Sequence, residues 1–144
     1  MNKHIAEESK QLLKNNGLKV TQARLKLLDI FKRGKKPLSI KQIAEQLGDT
    51  EADMVTLYRN VESLENLGLI KQMRFNDRQA YYELITENHH HHLVCKSCGK
   101  ISDVNECSVT IQGPKLLKTH GFAKVTDHSL EFFGICDNCV KKKK

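Results

Sequence analysis

His89-His90-His91-His92-Leu93-Val94-Cys95-Lys96-Ser97-Cys98 is the stretch that decides how the second half of this chain folds. Four adjacent histidines lead through a short apolar segment into a C-x2-C pair, and a second pair, Cys136 and Cys139, follows near the C-terminus. Two residues between thiolates let both sulfurs face one ion, and two such pairs complete a closed tetrahedral site. The sequence therefore predicts a structural zinc ion held by Cys95, Cys98, Cys136 and Cys139.

Disulfides and a thioredoxin-like redox pair are the alternatives for these cysteines. Two matched pairs in a chain that we expect to be cytoplasmic favour metal over either. A half of a 144-residue chain has little core of its own, and metal binding supplies folding free energy to such small domains. The fifth cysteine, Cys107, is interpreted as a buried small apolar residue.

The histidine run is predicted to be extended and strand-like. Alternation along a strand places His90 and His92 on one face and His89 and His91 on the other. Two imidazoles bind a divalent ion weakly, so further donors are needed. The candidates are Glu83 and Asp103 for the first face, and His128, with Glu106 a weaker choice, for the second. A solvated polar strand without metal is the alternative.

Charge is distributed unevenly along the chain. The formal net charge is +7, all five arginines lie before position 80, and all five cysteines lie after it. Guanidinium groups suit phosphate, so a nucleic-acid partner is expected to bind the first half. No apolar run is long enough to span a bilayer, and the charged N-terminal segment does not resemble a signal peptide. We therefore expect a soluble, cytoplasmic protein with no membrane partner.

Helical periodicity dominates the first half. Thr21 is predicted to cap a helix that ends near Gly34, after an earlier helix around Leu12, and Ser39 to cap a short one that ends at Gly48. A fourth helix is predicted over Asp53 to Leu67. Its apolar stripe comprises Met54, Leu57, Val61, Leu64 and Leu67. Two helices joined by a tight turn indicate a helix-turn-helix.

The exposed face of that fourth helix carries Thr56, Tyr58, Arg59 and Asn60, which offer groups suited to a major groove. An ordinary polar helix face is the alternative. The segments 69–75 and 79–84 read as two strands joined by a tight loop, which makes the domain a winged helix. Lys71, Arg74 and Arg78 are placed on this wing to contact phosphates.

The second half is predicted to be a small α/β unit. A helix is expected over Val109 to His120, with strands over Phe122 to Val125 and Leu130 to Ile135. Its apolar surface is suited to pairing with a second copy. The fold class is thus α+β: a winged helix-turn-helix DNA-binding domain over 1–84, and a zinc-stapled metal-sensing and dimerisation domain over 85–144.

The chain resembles the ferric uptake regulator family along nearly its whole length. The matching segments are GLKVTQAR (17–24), VTLYRNV (55–61), GLI (68–70), HHHHLVCKSCGK (89–100), HGF (120–122) and DHSLEFFGIC (127–136). This resemblance implies a homodimeric repressor that binds palindromic operator DNA when loaded with metal. It implies that Tyr58 and Arg59 contact the DNA, with Lys19 and Arg24 nearby; Thr56 and Arg74 complete our predicted DNA-binding set.

The resemblance also assigns the metal ligands. The four cysteines hold structural zinc. The regulatory ligands are Glu83, His90, His92 and Asp103, and the ligands of a further site are His89, His91 and His128. Two positions depart from the family pattern: Pro37 stands where many members place a histidine ligand, and Thr110 stands where a glutamate often completes the further site.

The expected function is metal-dependent repression of metal-uptake genes. The regulatory ion is predicted to be iron(II) or zinc, with manganese(II) a further candidate. A peroxide-responsive regulator of the same family is one alternative. A metal-storage protein and a zinc hydrolase are alternatives from other classes, although the sequence has no H-E-x-x-H pattern or nucleophile arrangement. We therefore predict that the protein is not an enzyme and has no small organic substrate.

Overall fold

The structure, a computed structural model, describes residues 3–34, 36–48, 53–75, 79–86, 90–105, 113–125 and 128–142. The chain forms two compact units, Met1–Thr86 and Glu87–Lys144. Within the described residues, no helix is long and apolar enough to cross a membrane.

Four helices build most of the first unit: α1 (Lys3–Asn15), α2 (Gln22–Arg33), α3 (Ile40–Leu47) and α4 (Met54–Asn66). The predicted N-terminal caps, Thr21 of α2 and Ser39 of α3, are both confirmed. The Thr21 hydroxyl accepts a hydrogen bond from the Arg24 backbone N–H at the start of α2. Gly48 follows α3 with a φ of 79°, a left-handed conformation that glycine adopts without strain.

Ser39 forms a capping box at the start of α3. Its hydroxyl accepts from the Gln42 N–H at 3.3 Å, and the Gln42 side chain accepts from the Ser39 N–H at 2.9 Å. Each bond satisfies a donor that the helix itself leaves unpaired. Because Ser39 is buried, water could not reach these backbone donors in place of the Ser39 hydroxyl if that hydroxyl were removed.

We expect Ser39→Ala to lower the free energy of unfolding of the first unit by about 1 kcal/mol. All three tyrosines of the protein (Tyr58, Tyr81 and Tyr82) lie in this unit, so tyrosine fluorescence during urea denaturation follows its unfolding alone. Ser63→Ala is the control, since the Ser63 hydroxyl donates only to a carbonyl of its own helix. Equal unfolding midpoints for the two variants would contradict the capping role.

The core of the first unit gathers the apolar faces of all four helices and the wing. Its buried members are Leu13, Leu25, Leu27, Leu28, Phe31, Ile40, Ile43, Leu57, Val61, Leu64, Ile70 and Tyr82. The predicted stripe of α4 is confirmed at its three middle positions. It is wrong at Met54 and Leu67, which are 42% and 40% exposed, because the two ends of the helix extend past the core.

A three-stranded sheet completes this unit, with strand order β1-β3-β2. The predicted hairpin is confirmed as β2 (Ile70–Arg74) paired antiparallel with β3 (Ala80–Leu84), while the loop at 76–78 lies outside the described residues. The sequence analysis missed β1 (Leu38–Ser39), which pairs with Tyr82 and Tyr81 of β3. Two residues are too few to produce a recognisable alternation.

The second unit is built on a sheet in the order β5-β4-β6. Its elements are β4 (His91–Cys95), β5 (Ile101–Val104), α5 (Gly113–His120), β6 (Glu131–Gly134) and α6 (Asp137–Lys141). Strand β4 is central, antiparallel to β5 and parallel to β6. The extended histidine segment is thereby confirmed from His91 onward.

Other predictions for this unit need correction. No strand forms over residues 122–125, where Phe122 is 69% exposed; the segment follows Gly121 directly after α5 and has no strand partner. Strand β5 and helix α6 were not predicted. The predicted helix is described only as α5, because residues 106–112, including Glu106, Cys107 and Thr110, lie outside the described residues.

Candidate metal centres and nucleic-acid face

The four predicted zinc ligands come together in the second unit. The sulfurs of Cys95, Cys98, Cys136 and Cys139 all lie within 4.8 Å of one another. The Cys98 and Cys136 sulfurs are 3.7 Å apart, and the Cys136 backbone N–H donates to the Cys95 sulfur at 3.3 Å. Cys95 and Cys139 are buried, whereas Cys98 is exposed.

Strand pairing explains how positions so distant in sequence meet. Strands β4 and β6 run parallel with Cys95 opposite Gly134, so their carboxyl ends lie at the same edge of the sheet. A cysteine pair follows at each end. The first pair sits in a turn closed by the Gly99 N–H on the Cys95 carbonyl, and the second begins α6, whose N-cap is Cys136.

The geometry fits a zinc ion. Zinc–sulfur bonds of about 2.3 Å in a tetrahedron separate neighbouring sulfurs by about 3.8 Å. The 3.7 Å between Cys98 and Cys136 matches that separation, and the other sulfurs need to move by no more than about an ångström. The four cysteines therefore form a site suited to structural zinc, with no position left open for substrate.

The pKa values of two thiols differ widely in this cluster. Backbone hydrogen bonds from Cys136 and Cys98 lower the pKa of Cys95 to about 6, against the opposing effect of burial. At Cys98 a backbone hydrogen bond from Lys100 lowers the pKa, but the thiols of Cys139, Cys95 and Cys136 outweigh it and raise the pKa to about 11. The lowered pKa favours the thiolate form of Cys95, which is the form that binds metal, near neutral pH.

The first histidine pair lies on one side of β4. The rings of His90 and His92 meet edge to face with centroids 5.1 Å apart, and a ring nitrogen of each lies within 4.8 Å of the other. Asp103 of β5 is the strand partner of His92, and its Oδ1 lies 3.8 Å from His92 Nε2. Two nitrogens and one carboxylate therefore converge within the second unit.

The second pair joins His91 to His128. Their ring centroids lie 5.4 Å apart, and His91 is only 3% exposed. His89, the third predicted ligand of this further site, lies outside the described residues. His91 and His92 are both buried although they point to opposite faces of β4. The sheet is thus covered on both sides at this point, with one histidine pair on each.

Glu83, the remaining predicted regulatory ligand, belongs to β3 of the first unit. Its side chain is 9% exposed, and its Oε1 lies 2.9 Å from Lys71 Nζ of β2. The two residues are direct strand partners. The sequence analysis missed this ion pair, although Lys71 and Glu83 stand at equal distances either side of the 76–78 loop and a count outward from the loop would have paired them.

The candidate nucleic-acid face is on α4. Thr56, Tyr58 and Arg59 are all exposed on its first two turns, and Tyr58 is 54% exposed despite its aromatic ring. The Asp53 side chain caps the helix by accepting from the Val55 N–H at 3.2 Å. Arg74, the last residue of β2, is also exposed. These side chains are accessible to a partner.

Arg24 and Lys19 are connected to this face through hydrogen bonds. Arg24 Nε donates to Asn60 Oδ1 of α4 at 3.1 Å, and its Nη1 donates to the Lys19 carbonyl at 2.9 Å. One guanidinium therefore ties α4 to the segment before α2.

Comparison with known proteins supports the resemblance found in the sequence. The model of the ferric uptake regulator family matches residues 15–133. The chain belongs to this family. A ferric uptake regulation protein of Neisseria gonorrhoeae is 33% identical over 135 residues, covering 92% of this chain and 93% of the relative.

Two solved structures of family members have the same fold. The ferric uptake regulator of Vibrio cholerae superposes with a TM-score of 0.75 at 29% identity, covering 88% of this chain and 98% of the other. The regulator of Helicobacter pylori gives a TM-score of 0.74 at 25% identity, covering 95% and 92%; its structure is described as revealing three functional metal-binding sites. The predicted α+β fold class is confirmed.

The structure describes Pro37, one of the two positions at which the sequence analysis found a departure from the family pattern. Pro37 is buried immediately before β1 and has no side-chain donor atom, so this position cannot contribute a ligand. Two imidazoles and carboxylates form a set that zinc accepts with four ligands and iron(II) with open positions.

Proposed function

We propose that this protein is a metal-dependent transcriptional repressor that binds palindromic operator DNA as a homodimer and controls metal-uptake genes. The observation that carries the proposal is that β4 contributes side chains to two different clusters of metal-binding residue types. Cys95 at its end is part of a closed four-cysteine site, whereas His92 in its middle is grouped with His90 and Asp103 in a set with few donors. A closed site suits structure, and an incomplete one suits reversible sensing.

The proposed regulatory set adds Glu83 to His90, His92 and Asp103. Glu83 and His90 are separated by seven peptide steps, which span about 25 Å at most, so the connection is short enough for the carboxylate and the histidines to bind the same ion. When bound, iron(II) or zinc supplies a rigid link between residues on either side of this short connection. His91, His128 and His89 are proposed as ligands of a further site.

The functional assignment of the units follows from these ligands. We assign 1–84 to DNA binding and 85–144 to metal sensing and dimerisation. Glu83 at the end of the wing and the histidines of β4 then hold the two domains at one angle in the loaded protein. The metal-free protein samples other angles and rarely fits two half-sites, so loading shifts the population towards the form that binds DNA.

Dimerisation is supported by the surface of the second unit. Among the described residues, β5 is an edge strand whose backbone can pair with another chain, and Phe122, Phe132 and Phe133 are exposed apolar side chains. A symmetric pair presents two α4 helices to two half-sites, which explains why the proposed operator is palindromic.

A selection from random duplex DNA tests this function. The zinc-replete protein is incubated with iron(II), zinc or manganese(II) or with no added metal, and bound DNA is sequenced and then titrated by gel shift. We expect an inverted repeat recovered only with a regulatory metal, and loss of binding on peroxide treatment would favour the peroxide-responsive alternative. Enrichment of no sequence under any condition would contradict the proposal and favour storage or hydrolysis.

Arg59→Ala is expected to weaken binding of the selected DNA by about 5- to 150-fold, since an arginine that reads a base contributes about 1–3 kcal/mol. The measurement is a fluorescence-anisotropy titration at one fixed salt concentration. Lys14→Ala is the control, because this exposed lysine carries the same charge on a different helix, α1. Equal losses in both variants would mean that Arg59 contributes only net charge.

A further inference from the structure

The wing contains an ion pair that involves Glu83, one of the proposed ligands of the regulatory metal. Lys71 and Glu83 are directly opposite in the β2–β3 register, and their charged atoms are 2.9 Å apart. Direct cross-strand partners have Cβ atoms about 5 Å apart on one face of the sheet. The hairpin register therefore fixes the two residues side by side, within reach of an ion pair between their side chains.

The two partners differ in their exposure. The Glu83 side chain is 9% exposed and the Lys71 side chain 44% exposed. A carboxylate this buried needs a positive partner, because an unpaired charge away from water is costly. An ammonium with nearly half its side chain in solvent can leave at little cost, since its stem stays on the sheet while the charged end is hydrated.

We propose that Lys71 is a built-in competitor for the regulatory metal, which rests on Glu83 being a ligand in the proposed function. The Lys71 ammonium neutralises Glu83 in the metal-free protein, and loading replaces one cation with the other at the same carboxylate. The apparent affinity for metal is then lower than the intrinsic affinity, because the Glu83–Lys71 pair has to open first. Lys71 thus sets the metal concentration at which the sensor responds.

The register excludes a simpler role for Lys71 in the core. Strand partners Ile70 and Leu84 mark the other face of the hairpin, where Ile70 is buried in the core of the first unit. Lys71 and Glu83 point away from that core, since neighbouring residues of a strand alternate. Their pairing therefore makes little contribution to packing within the first unit.

Metal titration of two Lys71 variants tests the proposal. Zinc-replete protein, with its cysteine site filled, is titrated with cobalt(II) and the visible absorption of the bound ion is recorded. We expect Lys71→Gln to bind cobalt(II) about three- to tenfold more tightly than the original protein. We expect Lys71→Arg to bind with equal or weaker affinity, because a guanidinium pairs with a carboxylate through two hydrogen bonds.

A matched control separates competition from net charge. Lys10→Gln removes the same charge from an exposed i, i+3 pair with Glu7 in α1 and is expected to leave the affinity unchanged. The advantage of Lys71→Gln over the original protein should also shrink as salt is raised, because salt screens the partly exposed ion pair. Tyrosine fluorescence during urea denaturation verifies that each variant keeps a folded first unit.

Glu83→Gln separates failure of this proposal from failure of the proposed ligand set. Weaker cobalt(II) binding in Glu83→Gln, with unchanged or weaker binding in Lys71→Gln, would overturn the competition and leave Glu83 as a ligand. In that case one Glu83 carboxylate oxygen would bind the metal ion while the other stays paired with the Lys71 ammonium. Unchanged binding in Glu83→Gln would overturn both, since Glu83 would then not be a ligand.

Discussion

Cys136→Ser is expected to release the structural zinc and unfold the second unit. Cys136 contributes a sulfur to the cluster, and its backbone N–H also donates a hydrogen bond to the Cys95 sulfur. A serine hydroxyl is a poor zinc ligand in place of a thiolate. Structural zinc contributes about 10–16 kcal/mol of apparent binding free energy to small domains, which exceeds what a unit of this size gains from its core.

Zinc content by mass spectrometry and limited proteolysis measure this effect. We expect loss of the bound zinc and rapid cleavage beyond residue 90, while the tyrosine-detected unfolding of the first unit stays close to that of the original protein. Ser97→Ala is the control, since Ser97 lies exposed in the same turn without being a ligand. A Cys136→Ser protein with full zinc content and unchanged protease resistance would refute a structural role for the four-cysteine site.

The double substitution His90→Ala and His92→Ala is expected to abolish metal-dependent DNA binding while the cysteine-bound zinc is retained. The two imidazoles are the only nitrogen donors of the proposed regulatory set, and carboxylates alone hold zinc or iron(II) weakly at this size of site. The rings lie on the opposite face of β4 from His91, so their removal leaves the His91–His128 contact in place.

Gel-shift titration with the selected DNA measures the metal-dependent binding, and zinc analysis measures whether the cysteine-bound zinc is retained. His120→Ala is the control, because His120 is an exposed histidine at the end of α5 that belongs to neither set. His91→Ala with His128→Ala tests the further site separately. Unchanged metal-dependent binding after loss of His90 and His92 would eliminate the proposed regulatory site, whatever the result at His91.

The sequence identified the features that depend on neighbours along the chain. The Ser39 and Thr21 caps, the turn between Cys95 and Cys98 and the alternation of the histidines each need only a few consecutive residues. These features can therefore be predicted from short stretches of sequence. The helices around Leu28 and Leu64 were found for the same reason, because a periodic apolar face marks the side that will be buried.

Predictions failed where exposure or pairing depended on a segment elsewhere. Residues 122–125 have strand-like composition but no partner, whereas Leu38 and Ser39 form a strand because β3 offers a free edge. Met54 belongs to the helical period but lies past the end of the core. A residue pattern indicates which secondary structure a segment can adopt. Whether it forms a strand or becomes buried depends on the segments that pack against it.

The histidine and cysteine block at 89–98 by itself predicted that the second half binds metal, with thiolates and imidazoles as the ligand types. Only the tertiary structure decided that parallel pairing of β4 with β6 brings Cys136 beside Cys95, that Arg24 donates to Asn60, and that Lys71 forms an ion pair with Glu83. These contacts join residues far apart in the sequence or fixed by strand register. Such contacts form because packing of the whole chain is favourable. They therefore cannot be predicted from a short segment of the sequence.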